Sequence, residues 1–180
     1  MMDKSERIQN RISPEVQEFR SGRVCLQLAS IDANHFPHSS YAPFVYKDLC
    51  YYILISDLAI HGQNLKQNNK VGIALIDDET GTKDMFARRR LTYTAVAKHV
   101  ERDSEKWNEI IDEMHTRAGE TTAVVSQLQD FHLYCLQPIE GRYVKGFAKA
   151  FAIDAAELPK VTALDEDSHV IMEYKNQTAS

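Results

Sequence analysis

Alternating apolar residues recur in short segments of this sequence, and this pattern restricts the chain mainly to β structure. In the first segment Val24, Leu26 and Leu28 alternate with their neighbours, at the period of a half-buried strand. Most of the segments are separated by turn residues, and the others by helical patterns. We therefore predict an α+β fold, mainly an antiparallel β-barrel, with strands at 24–29, 39–46, 49–56, 71–76, 91–100, 131–137 and 142–153.

Helical patterns lie before and between these strands. Ser13 is a typical N-cap residue and Pro14 fits the first helical position, so we expect a helix to begin there and to end at Gly22. A second helix is predicted at 59–68. The third, at 104–118, has an apolar stripe spaced for packing on a core, formed by Trp107, Ile110, Ile111 and Met114.

The last two strands are predicted to form a hairpin. The residues between them are Pro138, Ile139, Glu140 and Gly141. Proline and glycine at these positions are typical of a tight turn, so we expect the turn at 138–141.

Length and charge limit the classes of function. A chain of 180 residues is typical of one domain, so we expect a single domain over 1–180. The net charge of −5 argues against a general nucleic-acid binder or an anionic-membrane binder, which would need a basic surface.

Cysteine usage and the N-terminal sequence indicate a compartment. Cys25, Cys50 and Cys135 are widely spaced and form no CxxC motif, which is typical of reduced thiols rather than of a disulfide framework. The first residues are charged and lack the apolar core of a signal peptide. We expect a cytoplasmic protein.

Common catalytic motifs are absent from the sequence. It contains no GxxxxGK[ST], GxGxxG, GxSxG or HExxH pattern and no zinc-type Cys/His spacing. The absence of these motifs does not exclude chemistry carried by a bound cofactor.

A run of three arginines is the most prominent charged feature. Arg88, Arg89 and Arg90 precede a strand, and guanidinium groups can clamp an anionic ligand. Because side chains alternate across a strand, Arg88 and Arg90 would share one side. The alternative is a solvated cluster that pairs with the acidic residues at 77–79.

Two histidines and one aspartate are further candidates. His61 follows a buried strand near a helix start, where it could contact an anion or serve as a capping or surface residue. Asp130 could cap a turn, or it could orient a metal-ligating histidine by accepting its ring N–H. His169 lies in an acidic tail, where a histidine is ordinarily exposed to solvent.

These residues lie within segments that resemble a known family. The sequence resembles the haem-utilisation proteins of the HutZ/HugZ type, a branch of the pyridoxamine-phosphate-oxidase-like, FMN-binding split-barrel superfamily. The likeness runs over nearly the whole chain and is carried by SPEVQEFR, SYAPFV, YYILISDLAIHGQNLKQNNKVGIALIDDET, MFARRRLTY, VERDSEKW, SQLQDFHLYCLQP and VKGFAKAF.

The resemblance implies a homodimer of split β-barrels with peripheral helices that binds haem between its subunits and cleaves the porphyrin to release iron. It places the axial iron ligand on His169, in a tail at 155–180, and the acidic partner of that ligand on Asp130. It places the basic residue near haem on Arg90 and the pocket histidine on His61. Arginines of the cluster, including Arg88, would pair with the haem propionates.

Two other functions fit the same family. One is an FMN-dependent oxidoreductase, in which the cluster at 88–90 and Lys98 would hold the flavin phosphate. The other is a haem carrier without turnover. For the haem-degrading function we expect an external electron donor and, where haem is imported, a haem-delivery protein. We expect neither nucleic acid nor a membrane as a partner.

Overall fold

The structure is a computed structural model, and it describes residues 4–146, 149–154 and 160–163. Helices and strands follow one another along the chain in the order α1 (Lys4–Ser21), β1 (Cys25–Ile31), β2 (Pro37–Lys47), β3 (Cys50–Ser56), α2 (Ile60–Gln67), β4 (Lys70–Ile76), β5 (Arg90–Val100), α3 (Glu105–Ala118), α4 (Thr121–Val125), β6 (Phe131–Gly146), β7 (Lys149–Asp154) and β8 (Lys160–Ala163).

The strands form an antiparallel barrel. The order is β3-β2-β1-β4-β5-β6, and β3 also pairs with β6, which closes the ring. β6 is long enough to pair with β3 through its first half and with β7 through its second half, so that β7 and β8 extend the sheet beyond the ring. The predicted fold class, mainly antiparallel β in a split-barrel arrangement with peripheral helices, is confirmed.

Aromatic side chains fill the barrel. The rings of Phe44 and Tyr93 lie 5.3 and 5.7 Å from the Tyr51 ring between centroids, in tilted orientations that aromatic pairs prefer. Burial raises the pKa of Tyr51 well above its ordinary value, so its hydroxyl is neutral. Helix α1 contributes Phe19 to the same core.

A second apolar cluster lies on the outside of the barrel beneath α3. Trp107, Ile110 and Met114 are buried there against Leu54 and Leu133 of the sheet. Ser104 caps the helix, since its Oγ accepts a hydrogen bond from the backbone N–H of Trp107 at 3.1 Å. The predicted third helix and its packing face are therefore confirmed.

The start of the first helix differs from the prediction. α1 begins at Lys4, and Pro14 lies inside it. Proline removes one backbone donor from a helix, but Ile12, Val16 and Phe19 are all buried on the barrel core. Burial of apolar side chains before and after the proline offsets the lost hydrogen bond.

The predicted turn at 138–141 is also wrong, because β6 runs through it. The register shifts where Ala95 pairs with Pro138 and Thr94 pairs with Glu140, so that Ile139 forms a β-bulge. A bulge accommodates proline, which cannot donate a ladder hydrogen bond. Gly141 is required for packing, since a Cβ at this position would overlap the Tyr93 ring.

In the part of the chain that the structure describes, no helix has both the length and the apolar character needed to cross a membrane.

The contact between α2 and the end of β3 is a testable feature of the packing. A Cβ at Gly62 would overlap the backbone carbonyl oxygen of Ser56. We expect Gly62→Ala to lower the free energy of unfolding by about 1–3 kcal/mol, because backbone must move to admit the methyl group. Urea denaturation measures this change.

Gly22→Ala is the matched control. Its added Cβ would meet only backbone oxygens, at 3.5 and 3.8 Å, so we expect a small effect. Equal free energies of unfolding for wild type and Gly62→Ala would show that α2 is not seated as described.

Candidate functional site

Asp130 is held at the end of the barrel where β3 stops and β6 begins. The Ser56 hydroxyl donates a hydrogen bond to Asp130 Oδ2 at 2.6 Å. The same Ser56 oxygen accepts the backbone N–H of Leu58 at 3.0 Å. The backbone N–H of Asp57 donates to the Asp130 carbonyl oxygen at 2.7 Å. These bonds fix both the main chain and the carboxylate of Asp130.

Asp57 links three more titratable groups beside this position. Its Oδ2 lies 2.5 Å from Lys66 Nζ and 2.9 Å from His132 Nε2, and His132 Nδ1 lies 3.3 Å from His99 Nε2. Burial would raise the pKa of Asp57, but hydrogen bonds from Lys66 and His132 outweigh it and lower the pKa. The carboxylate is thus ionised and anchors the chain of histidines.

His99 is the outermost residue of this series of hydrogen-bonded side chains. Burial, and then the charge of the neighbouring His132, lower its pKa below the ordinary value for histidine. Asp57, His99 and His132 were not among the site residues predicted from the sequence. The sequence does show that Asp57 follows one predicted strand and that His132 lies at the start of another. These positions indicate that the two residues are neighbours only once β3 is known to pair with β6.

His61 lies on the same side of the molecule as Asp130. It is in the first turn of α2, one residue before Gly62, which packs on the Ser56 carbonyl. Ala59 rather than His61 occupies the N-cap position, and its side chain makes no capping bond. Burial and the nearby His38 lower the pKa of His61, so its imidazole is neutral at pH 7 and can bind a metal or accept a hydrogen bond.

Two arginines of the cluster are already engaged. Arg88 lies 3.3 Å from Glu79, and its Nε donates to the Asp77 carbonyl oxygen at 2.5 Å. Arg89 lies 3.0 Å from the Asp77 carboxylate, and this hydrogen bond raises the pKa of Arg89. The structure therefore shows Arg88 and Arg89 paired with the acidic turn, which is the alternative given above for the cluster.

Arg90 differs from its two neighbours. Its Nη1 donates to the Arg88 carbonyl oxygen at 3.0 Å, and none of the carboxylates in the described ranges forms an ion pair with it. Arg90 therefore keeps donors for an external anion.

A groove lies on the outer face of β2, β1, β4 and β5. Its volume is about 410 Å³. Its lining includes several short side chains, those of Ala29, Ser39, Ala74 and Thr92, and the backbone of Gly72. Thr92 lies two residues after Arg90 on β5, so strand alternation puts both residues on the same face. The lining of the groove thus begins two residues along β5 from Arg90.

Arg90 and Asp130 lie far apart within one chain. Arg90 is the first residue of β5, whereas His99, at the other end of β5, belongs to the group of side chains beside Asp130. At about 3.3 Å per residue, roughly 30 Å of strand separates the two ends.

Lys98 is likewise remote from the arginines. It lies near the far end of β5 from Arg90, roughly 25 Å away along the strand. Lys98 and the arginines of one chain cannot bind the same phosphate, so the phosphate site predicted for a flavin is not formed within the chain. His169 lies outside the described residues, as does all of the tail at 155–180 except 160–163.

The sequence model of the family described as pyridoxamine 5'-phosphate oxidase matches residues 12–145. The chain is 49% identical over 163 residues to the heme oxygenase HutZ of Vibrio cholerae, covering 91% of this chain and 93% of that protein.

Solved structures agree with this match. A crystal structure of HutZ from Vibrio cholerae, described as the haem storage protein, has 52% identity and a TM-score of 0.68 and covers 71% of this chain and 90% of its own. Campylobacter jejuni ChuZ has 34% identity and a TM-score of 0.79, covering 89% of this chain and 65% of its own. The chain therefore belongs to the pyridoxamine 5'-phosphate oxidase family, in the branch that contains HutZ.

Proposed function

We propose that this protein is a haem-degrading oxygenase, which binds haem at the interface of a homodimer and cleaves the porphyrin to release iron. The observation that carries the proposal is Arg90, an arginine with no carboxylate partner among the described residues, two residues along β5 from Thr92, which lines the groove. The likeness to a heme oxygenase over nine-tenths of the chain supports the same function.

The groove and Arg90 fit the shape and charge of haem. Short side chains at Ala29, Gly72 and Ala74 let a flat ligand approach the sheet, and the Arg90 guanidinium can bind a propionate through charge-assisted hydrogen bonds. Arg88 already contacts Glu79, so we assign it a weaker contact with a propionate. When bound, haem supplies the iron and the conjugated ring at which oxygen reacts.

Asp130 is suited to orient a histidine ligand. Ser56 donates to Asp130 Oδ2, which leaves Oδ1 to accept a second hydrogen bond. We propose that this bond comes from a ring N–H of His169 and that the other ring nitrogen binds the iron. A carboxylate that accepts from a ligating imidazole fixes the ring orientation and strengthens it as a donor.

A homodimer resolves the separation of Arg90 from Asp130. Since Arg90 lies at one end of β5 and Asp130 lies beside the other end in one chain, a single haem site that uses both needs residues from two copies. His61, close to the Asp130 end, would line the pocket from the same copy as Asp130.

Turnover also needs components that the chain does not supply. We propose an external electron donor, a cytoplasmic location and, for imported haem, delivery by another protein. The three cysteines are free in the structure, in keeping with a reducing compartment.

Two alternatives have support in the comparisons. A haem carrier or storage protein is favoured by the description of the HutZ crystal structure. An FMN-dependent oxidoreductase is favoured by the family match, although Arg88 and Arg89 are already paired with acidic residues.

Titration with haemin followed by reduction distinguishes these functions. We expect one haem per subunit, a Soret band that shifts or disappears in His169→Ala, and loss of that band when ascorbate is added in air. Bound haem that survives ascorbate would identify a carrier. Protein that retains flavin and does not bind haemin would identify the flavin enzyme.

Asp130→Asn tests the orienting carboxylate. We expect haem to remain bound while degradation slows by about 10–100-fold, since partners of metal-ligating histidines typically contribute that much. Single-turnover absorbance in ascorbate measures the rate. Ser56→Ala, which removes the hydrogen bond to Asp130, should slow degradation less than Asp130→Asn does. Ser56→Thr should restore the wild-type rate. An unchanged rate in Asp130→Asn would remove Asp130 from the proposed mechanism.

Arg90→Ala tests the anion contact. Loss of a hydrogen-bonded charge pair should raise the dissociation constant for haem by roughly 10-fold or more, as measured by haemin titration. Arg88→Ala is the comparison variant and should change the constant less, because Arg88 already contacts Glu79. An equal increase in the dissociation constant in both variants would show that haem affinity depends on total charge rather than on the position of Arg90.

A further inference from the structure

Two thiols lie close together on the strand pair that closes the barrel. Cys50 is the first residue of β3, and Cys135 lies in β6 opposite Tyr52. Since Cys50 precedes Tyr52 by two residues, Cys50 and Cys135 are diagonal neighbours on one face of the sheet. Both pack against the apolar cluster beneath α3.

The thiols interact with each other and remain partly open to solvent. Burial, and then a hydrogen bond with Cys135, raise the pKa of Cys50 to about 12. Both side chains are only partly buried, so a small solute can reach them. Lys98 pairs with Cys135 across β5 and β6 and places a positive charge near the two sulfurs.

This pair is separate from the candidate haem site. The groove lies on the outer face of β2, β1, β4 and β5, whereas Cys50 and Cys135 lie on β3 and β6 beneath α3. The third cysteine, Cys25, is exposed on β1 and belongs to another part of the barrel.

We propose that Cys50 and Cys135 are a dithiol that hydrogen peroxide oxidises to a disulfide across the closing strand pair. One of the two sulfurs attacks a peroxide oxygen, which breaks the O–O bond and gives a sulfenic acid and water. The other sulfur then displaces the sulfenic oxygen as a second water. In total, two thiols and one peroxide give one disulfide and two waters, so the sulfurs are oxidised and the peroxide is reduced.

The start of β3 can supply the small movement that bond formation needs. Diagonal residues have Cα atoms about 7–8 Å apart, whereas most disulfides need at most about 6.8 Å. Cys50 follows Asp48 and Leu49, two non-glycine residues in left-handed backbone conformations with φ of 49° and 62°. As the first residue of the strand, Cys50 can shift with loss of only its terminal pairing to Lys47.

Peptide mapping under non-reducing conditions tests the proposal. The full-length reduced protein is treated with rising equivalents of hydrogen peroxide, alkylated with iodoacetamide and digested. We expect a cross-linked peptide pair that contains Cys50 and Cys135, formed with one peroxide consumed per pair and reversed by dithiothreitol. Cys25→Ser is the matched control and should form the same cross-link.

Three results would overturn the proposal. One is alkylation of both Cys50 and Cys135 at every peroxide level, and another is cross-links through Cys25 alone. The third is oxidation of either thiol to sulfinic acid without a cross-link in wild type. Cys50→Ser should give that product on Cys135, and Cys135→Ser should give it on Cys50, because neither variant keeps a second thiol to resolve the sulfenic acid.

Discussion

The pairing of β3 with β6 is the contact on which the rest of this structure depends. It closes the barrel, and it joins segments far apart in sequence: Ser56 is 74 positions from Asp130. The same pairing places Asp57 against His132 and Cys50 beside Cys135. One antiparallel register therefore sets the core, the position of the proposed ligand-orienting carboxylate and the dithiol.

The three arginines of the cluster differ in whether a carboxylate pairs with them. The acidic turn before β5 binds Arg88 and Arg89 through Glu79 and Asp77, and β-strand alternation puts Arg90 on the same face of β5 as Thr92, which lines the groove. This pairing leaves Arg90 without a carboxylate partner among the described residues. For that reason we propose Arg90 as the anion contact in a chain whose net charge is −5.

The two ends of β5 carry different parts of the proposed chemistry. Arg90, the proposed anion contact, lies at one end, and Asp130 is held by Ser56 near the other. A rigid strand keeps these groups apart within one chain, so the proposed function makes association of two copies a requirement for a complete site. The family to which the chain belongs sets the fold, whereas the function depends on these particular side chains.

The sequence by itself determined most strands and the amphipathic helix α3, because apolar periodicity depends on near neighbours. It also contained the segments that identify the family. It did not determine the continuation of β6 through Pro138, since a bulge opposite Thr94 and Ala95 depends on the partner strand. Nor did it identify Asp57, His132 and His99 as linked groups, or separate Arg90 from Arg88 and Arg89. Only the tertiary structure decided these points, because they depend on which distant strands pair and in which register, and local patterns carry no information about the partner.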